Sequence, residues 1–368
     1  MVELKQVSFT PDVLARVAPD VSLQRHLSIG IRPNLRNFTE FKAVEFGNGL
    51  QLQRHENNVF ASSIVKSGST TVITTISLGI VEDLGNRHNQ RTQHFASVYP
   101  QVEILRGRSG APTDEEMIIS QDLFETFGHC KIIPQESLNI DNIGILIKDE
   151  ETGKEEILYP DLNESQWQYV NLSSMHNKPF QFVLLASTKV YSREVSTNSI
   201  FDLCFASILK ALKDLKLPRC YVNDSITTKI SIRSRKSNAR GLVDTSTGVL
   251  NLDLRQGSQY KLELNAKPDT ISSNFGVIKL EKRNKSEGEE HEQEQDGDIF
   301  VDSNEEDEPI LLTDLEGEAE ESTILSRISV VNNSDSINKI SLVSNGDITL
   351  ETLRRALEIS KQRASMYS

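Results

Sequence analysis

Long apolar runs are missing from this chain of 368 residues. Nothing in it approaches the ~18 consecutive apolar residues that a membrane-spanning helix needs. The opening stretch, MVELKQVSFTPDV, lacks the basic-then-apolar order of a secretory signal. A soluble cytosolic or nuclear protein is expected. Cysteine is scarce. Cys130, Cys204 and Cys220 fit neither a metal-ligand spacing nor a disulfide framework, so no metal and no cofactor are expected. Hydrophobic residues make up 37% of the chain. That is low for a chain packed throughout, so part of it is expected to lie outside any core.

One stretch lacks positive charge altogether. Between Ser286 and Glu308 there are twelve Asp or Glu and no Lys or Arg, and they account for all but one unit of the net charge of -13. The remainder is close to neutral. Global charge therefore neither marks a nucleic-acid binder nor excludes one that uses a local patch. Residues 284–308 are too polar to bury a core of their own and read as a disordered acidic insertion between the strands VIKLE and ILLTDL. Within it, EQEQDGDIFVDS has a faint EF-hand look. The twelfth position is Ser303, where that loop needs a bidentate Glu, so calcium binding is not expected. Ser303-Asn304-Glu305-Glu306 is a weak match to an acid-directed kinase site.

The remaining pattern alternates between the two regular periods. Residues 11–30 read as helical with a break at Pro19, and 114–129 as a helix capped by Thr113 or Asp114. VITTISLGI (72–80) and FQFVLLASTKVY (180–191) read as strands. In TNSIFDLCFASILKALKDLKLP, Phe201, Cys204, Phe205, Ile208, Leu212 and Leu215 recur at steps of three and four, which predicts a helix with one buried face. Ser199 would be its N-cap, Asp202 its capping-box acid, and Pro218 its stop. Beyond it, strands are expected over 226–235, 259–265, 275–281, 310–315, 323–331 and 338–344. A final helix over 349–364 would turn Leu350, Leu353, Leu357 and Ile359 inward. Without regular βαβ alternation, the fold class is α+β.

Several of these stretches resemble one family. GIRPNLRNFTEFK (30–42) is similar to the opening G-I-R-x-D-G-R signature of RNase PH-type proteins. KSGSTTVITTISLGI (66–80) is similar to their first hairpin, IFDLCFASILKALKDLKLP to their long helix, and LLTDLEGEAEES to the strand and loop that follow. The resemblance runs over about residues 20–366 and implies an RNase PH-like fold, two similar β-α halves with helices packed on mixed sheets. Residues 21–283 and 309–366 would form one such domain, with 1–20 as an N-terminal extension. The resemblance further implies a ring subunit of the eukaryotic RNA exosome. Its partners would be the other RNase PH-like ring subunits, OB-fold and KH-type cap subunits, and an associated exoribonuclease, with RNA in the central channel and no membrane. Nucleus, nucleolus and cytoplasm are the implied locations.

Phosphorolytic members hold inorganic phosphate with a G-T-R triplet at the start of the long helix. There the Gly allows close approach, the Thr donates and the Arg clamps the anion. The matching residues here are Ser199, Ile200 and Phe201. The family's Arg on the earlier helix is also absent: EEMIISQDL offers Ile118, Ile119 and Leu123. Of the two catalytic acids, the second falls near Ile324 or Leu325. Glu316, Glu318, Glu320 and Glu321 make a carboxylate cluster or, more plainly, a solvated or partner-facing loop. Asp314 and Glu318 fall early in that stretch. In the opening signature D-G-R is replaced by Asn34-Leu35-Arg36, and Arg32 and Arg36 read as structural or interfacial. No catalytic residue is therefore expected, and the phosphate site reads as degenerate. Two basic clusters remain, Arg106 with Arg108, and Arg233, Arg235, Lys236 and Arg240. Each is an RNA-contact candidate, a solvated face or a protein contact, and no interleaved aromatics support a stacking platform. The reading that follows is a non-catalytic structural subunit supporting 3′-to-5′ RNA processing and turnover. The alternatives are an active phosphorolytic exoribonuclease on the same fold, and a freestanding adaptor working through 286–308.

Overall fold

The fold is that of a computed structural model, which describes residues 10–49, 58–82, 95–105, 107, 110–148, 155–168, 176, 178–191, 197–223, 228–233, 240–245, 249–265, 267, 270–279, 309–345 and 348–367. Helices α1 (Pro11–Val17) and α2 (Pro19–Ser28) come first, each opened by a proline at its first position. Strands β1 (Glu45–Asn48), β2 (Val59–Ser67), β3 (Thr70–Glu82), β4 (Phe95–Ala96) and β5 (Tyr99–Ile104) lead to helix α3 (Asp114–His129). Next are β6 (Ile133–Pro134), β7 (Gly144–Lys148), β8 (Glu155–Leu158), the short α4 (Glu164–Trp167) and β9 (Phe180–Tyr191). The long α5 (Thr197–Asp214) precedes β10 (Lys216–Leu217), β11 (Arg219–Asn223), β12 (Thr228–Arg233), β13 (Arg240–Thr245), β14 (Val249–Asp253), β15 (Tyr260–Lys261) and β16 (Ile271–Ile278). The chain closes with β17 (Ile310–Thr313), α6 (Gly317–Thr323), β18 (Ser326–Asn332), β19 (Ile337–Val343) and α7 (Leu350–Met366).

Two sheets frame the long helix. One has the order β1-β2-β3-β9-β5, the other β17-β16-β18-β19. Helix α5 packs against β2 and β3 of the first and β16 of the second. Strand β9 shows why the first sheet has an inner face: Phe180, Phe182, Leu184, Ala186 and Val190 are buried, whereas the alternate Leu185, Lys189 and Tyr191 are exposed. Against that face α5 sets Ile200, Cys204, Phe205, Ile208 and Leu212, and Phe205 stacks on Phe127 of α3 at 5.0 Å. Each such buried side chain contributes ~1.5–3 kcal/mol. A buried polar chain crosses the same interface. The Ser63 hydroxyl is 2.7 Å from the Ser207 carbonyl, Ser207 donates to Thr74 at 2.8 Å, and Thr74 meets Thr188 at 3.1 Å. With partners on both sides these hydroxyls bind α5 to β2, β3 and β9 without a desolvation penalty. A third sheet, β14-β11-β7-β8, and three two-stranded ones complete the architecture. The RNase PH-like α+β fold expected from the sequence is present.

Several local expectations are corrected. Helix α5 starts at Thr197, so Ser199 stands within its first turn and cannot be its N-cap, a role that requires a non-helical backbone. Asp202 lies a full turn further in, buried rather than capping. The helix ends at Asp214, before Pro218, because Lys216–Leu217 pairs with Tyr260–Lys261. The strand expected over 226–235 is the shorter β12, and β11, β13 and β14 had no counterpart in the pattern. On α7, Leu353, Leu357 and Ile359 pack inward against the cluster of Phe275, Ile328 and Ala356 as expected, but Leu350 is 66% exposed, and the buried stripe is Thr352, Ala356, Ser360, Arg363 and Ala364. The acidic stretch 284–308 lies outside the described residues. The strands on either side of it are direct neighbours, with Ile278 opposite Ile310.

Candidate functional site

The start of α5 faces α3 and the open end of the second sheet. Ile200 is 1% exposed and belongs to the main core. Phe201 is half-buried and stacks along its own helix on Phe205, with ring centroids 6.5 Å apart. Opposite it, α3 is held in place by a complete capping box. Thr113 accepts from the Glu116 N–H at 3.3 Å, and the Glu116 carboxylate accepts from the Thr113 N–H at 2.7 Å. The other carboxylate oxygen of Glu116 accepts from Ile104 N–H at 2.7 Å, which fixes the helix to the end of β5. Between α3, Phe201 and β18–β19 lies a groove of about 490 Å³, lined among others by Ile118, Ile119, Phe201, Leu325, Arg327 and Lys339.

The structure thus brings together, in one groove, four residues that the resemblance set at catalytic or phosphate-binding positions: Phe201, Ile118, Ile119 and Leu325. Leu123 and Ile324 from the same alignment are buried in the core. Ser199 is close in sequence, but nothing of its side chain is described. Two cations that the sequence reading did not select also line the groove. Arg327 donates to the carbonyls of Ile324 at 3.3 Å and Glu321 at 3.1 Å, and Lys339 donates to the Thr126 hydroxyl at 2.7 Å. Asp122 is the single carboxylate among the lining residues, and burial raises its pKa despite the nearby Lys339.

Two of the glutamates after β17, Glu316 and Glu320, are held by cations rather than solvated. Glu320 is fully buried and takes Arg32 in a bidentate pair, Nε to Oε1 at 2.9 Å and Nη2 to Oε2 at 2.6 Å. Arg32 also donates to the carbonyls of Thr313 and Asp314. Glu316 is held by Arg36 at 2.8 Å and Lys42 at 2.9 Å. Burial pushes its pKa up, but those cations outweigh burial and leave it below the usual carboxylate range. Asp314, at a left-handed φ of 47°, accepts from the Lys42 N–H at 3.1 Å. The reason is tertiary: α2 and the segment after it lie over α6, through Leu23 and Leu27 against Leu312, Leu315 and Ile324. Arg32 and Arg36 are accordingly structural. The acids they hold are 2.6–3.6 Å from cations and unavailable for proton transfer in this arrangement.

Behind Phe201, Asp202 is buried beside Arg363, Asp314 and Lys42 around a void of about 10 Å³. Burial pushes the Asp202 carboxyl up to about 7; Arg363 opposes that shift and Asp314 adds to it. Arg108, Arg106, Arg235 and Lys236 lie outside the described residues. Arg233 ends β12 opposite Arg240 on β13, and only the backbone of the two is described. A further cavity, about 560 Å³, opens on another face of α3 beside Phe95, Tyr99, Phe124 and Lys131. It contains none of the aligned positions. Among the described residues no cluster of His, Cys, Asp and Glu is arranged to hold a metal.

Known proteins resemble this chain in sequence and in fold. Residues 40–218 match the model of the 3′ exoribonuclease family, domain 1. The exosome complex component rrp43 of Schizosaccharomyces pombe (strain 972 / ATCC 24843) is 24% identical over 142 residues, which are 37% of this chain and 49% of that protein. The chain thus spans about half the length of the curated relative it matches. An archaeal exosome core superposes with a TM-score of 0.53 at 12% identity, over 96% of each chain. An Archaeoglobus fulgidus exosome with RNA bound to the active site superposes with a TM-score of 0.54 at 12% identity, over 96% of this chain and 98% of that one. At such identity the likeness to solved structures concerns the fold. The chain has an RNase PH-like fold, its residues 40–218 match domain 1 of the 3′ exoribonuclease family, and it is similar to exosome components of that type.

Proposed function

We propose that this chain is a non-catalytic, structural subunit of the RNA exosome core ring. It supports 3′-to-5′ RNA processing and degradation, rRNA maturation included, that an associated nuclease carries out. One observation carries the reading. Where a phosphorolytic enzyme needs donors for a multiply charged anion, the groove presents Phe201 from α5, Ile118 from α3 and Leu325 just before β18. Desolvating phosphate against hydrocarbon without replacement partners costs several kcal/mol. Arg327 and Lys339 line the same groove, but they come from β18 and β19, and neither stands on α5 or α3, where the family's phosphate donors are. Of the acids that follow β17, Glu320, Glu316 and Asp314 are paired with Arg32, Arg36 and Lys42, which commits them to ion pairs rather than to protonating a leaving oxygen.

The partners in this reading are the other RNase PH-like ring subunits, the OB-fold and KH-type cap subunits, the exoribonuclease, and RNA in the central channel. The locations are nucleus, nucleolus and cytoplasm. The test is phosphate-dependent release of nucleoside diphosphates from single-stranded RNA by the purified chain. None is expected. Activity that depends on phosphate and survives repurification would overturn the non-catalytic reading.

A further inference from the structure

The groove beside Phe201 exposes more hydrocarbon and more positive charge than its own lining satisfies. Ile118, Leu325 and Val343 are 60%, 59% and 62% exposed. Arg327 and Lys339 enter from β18 and β19, and neither forms an ion pair with a described carboxylate. Asp122 is the lining's single acid. An occupant that fits has an apolar centre and acidic flanks.

This chain carries such a segment. In DGDIFVDSNEEDE, residues 296–308, Ile299, Phe300 and Val301 are consecutive apolar residues between Asp296 and Asp298 on one side and Asp302, Glu305, Glu306, Asp307 and Glu308 on the other. Its attachment points are at the correct end of the sheet. Ile310, where β17 begins, pairs with Ile278; Val277 pairs with Ser326; and Arg327 pairs with Val343. The start of β17, the end of β16, the start of β18 and the end of β19 therefore share one edge, and Leu325, Arg327 and Val343 of the groove lie along it. From β17 to β19 is three strand spacings, ~14 Å. The nine residue-to-residue steps from Val301 to Ile310 extend to ~30 Å. We propose that Ile299–Phe300–Val301 docks in this groove, its apolar side chains against Phe201, Ile118 and Leu325 and its flanking acids beside Lys339 and Arg327.

Tethering makes weak contacts sufficient. Attachment close by in the same chain gives an effective concentration of the order of millimolar, so a segment with a dissociation constant of ~1 mM is already about half docked. The ion contacts are near the surface and are screened by salt. The proposal concerns the chain by itself and stands apart from ring membership.

The experiment uses the full chain with a benzophenone photo-crosslinking residue in place of Phe300. Cross-linked peptides are mapped by mass spectrometry. The expected products join position 300 to α3 near Ile118, to Phe201, and to β18–β19 near Leu325 and Val343, within one chain. Lys339→Glu is expected to lower their yield roughly fivefold, as reversal of a surface charge pair does, and 1 M salt should act in the same direction. Leu325→Glu is the second variant. Its site is exposed, so a fold checked by an unchanged thermal melt should persist while the cross-links fall. Cross-links spread over the surface, cross-links that reach only a second copy, or a yield indifferent to both substitutions would overturn the proposal.

Discussion

Arg32 and Glu320 stand 288 positions apart and form a bidentate ion pair with no solvent exposure on either side chain. The pair fastens the segment after α2 onto α6. Removing one partner leaves the other charged and buried, which costs ~3–5 kcal/mol, whereas replacing both with apolar groups is often near neutral. Glu320→Leu alone is therefore expected to lower stability by that amount, and Arg32→Met with Glu320→Leu by much less. Chemical denaturation of both variants measures the difference.

Asp202 makes stability depend on pH in an uncommon direction. Its carboxyl is pushed up to about 7 by burial, against Arg363. Unfolded, an Asp titrates near ~3.9. Between those values the native state binds the extra proton, so this group's contribution falls as pH rises from about 4 to 7 and stays low above that. Asp202→Asn should flatten the slope and stabilise the protein at pH 8 by a few kcal/mol at most, in order of magnitude. Melts of wild type and variant across pH 5–8 check it; a slope unchanged by the substitution would remove Asp202 as its source.

Glu316 acts in the opposite sense. Burial raises its pKa, and Lys42 and Arg36 more than offset that, leaving a net depression. The stability it contributes is present above its unfolded value and is lost as pH falls through its folded value. Glu316→Gln should reduce acid sensitivity below pH 4 while lowering stability at neutral pH by ~1 kcal/mol, the group being partly exposed. Acid titrations followed by circular dichroism distinguish the two effects.

Restoring the family triplet by Ser199→Gly, Ile200→Thr and Phe201→Arg should not restore phosphate binding. Ile200 lies in the core, and Ile→Thr there loses packing and buries a hydroxyl, ~1–3 kcal/mol. Phe201 is half-buried, so its loss costs less than the ~3–5 kcal/mol of a fully buried ring. The new Arg would meet Ile118 and Leu325. Thermal unfolding with and without tens of millimolar phosphate provides the readout. A phosphate-dependent rise confined to the triple variant would show that the site lacked only its donors.

Gly276 allows β16 to lie close to α6. A Cβ there would come within 2.8 Å of Ile324 Cγ2 and of Leu315 Cδ2, both in a closed apolar cluster. Gly276→Ala should cost ~1–3 kcal/mol by overpacking. Gly257→Ala, where a Cβ meets nothing within 4 Å, should stay within about 0.5 kcal/mol of wild type. Paired melts of the two variants make the comparison.

What could be read from the sequence was local. Helix α3 was legible to its first residue because Thr113 and Glu116 are a capping box three positions apart. Strand β9 was legible because its inner face alternates without interruption. Helix α5 starts three residues before the Ile200 that a Ser199 cap predicts, because Ser199 is a good cap by type and residue type does not report backbone angles. The acids after β17 were taken for a loop because nothing near them in the chain predicts Arg32. The apolar part of the groove was legible through Phe201, Ile118 and Leu325, and only by resemblance. Its cations were not, since strand pairing decides which residues of β18 and β19 share a face with α3.

The hydrogen-bonded neighbours Ile278 and Ile310 have a practical consequence. Ile278 and Ile310 lie one strand spacing apart, so whatever joins them must begin and end at nearly the same point. Lengthening such a span costs only ~0.6 kcal/mol per doubling. A fluorescent protein spliced in between residues 284 and 308, its own termini close together, would leave the two sheets undisturbed and turn this position into a handle for following the molecule in a living cell.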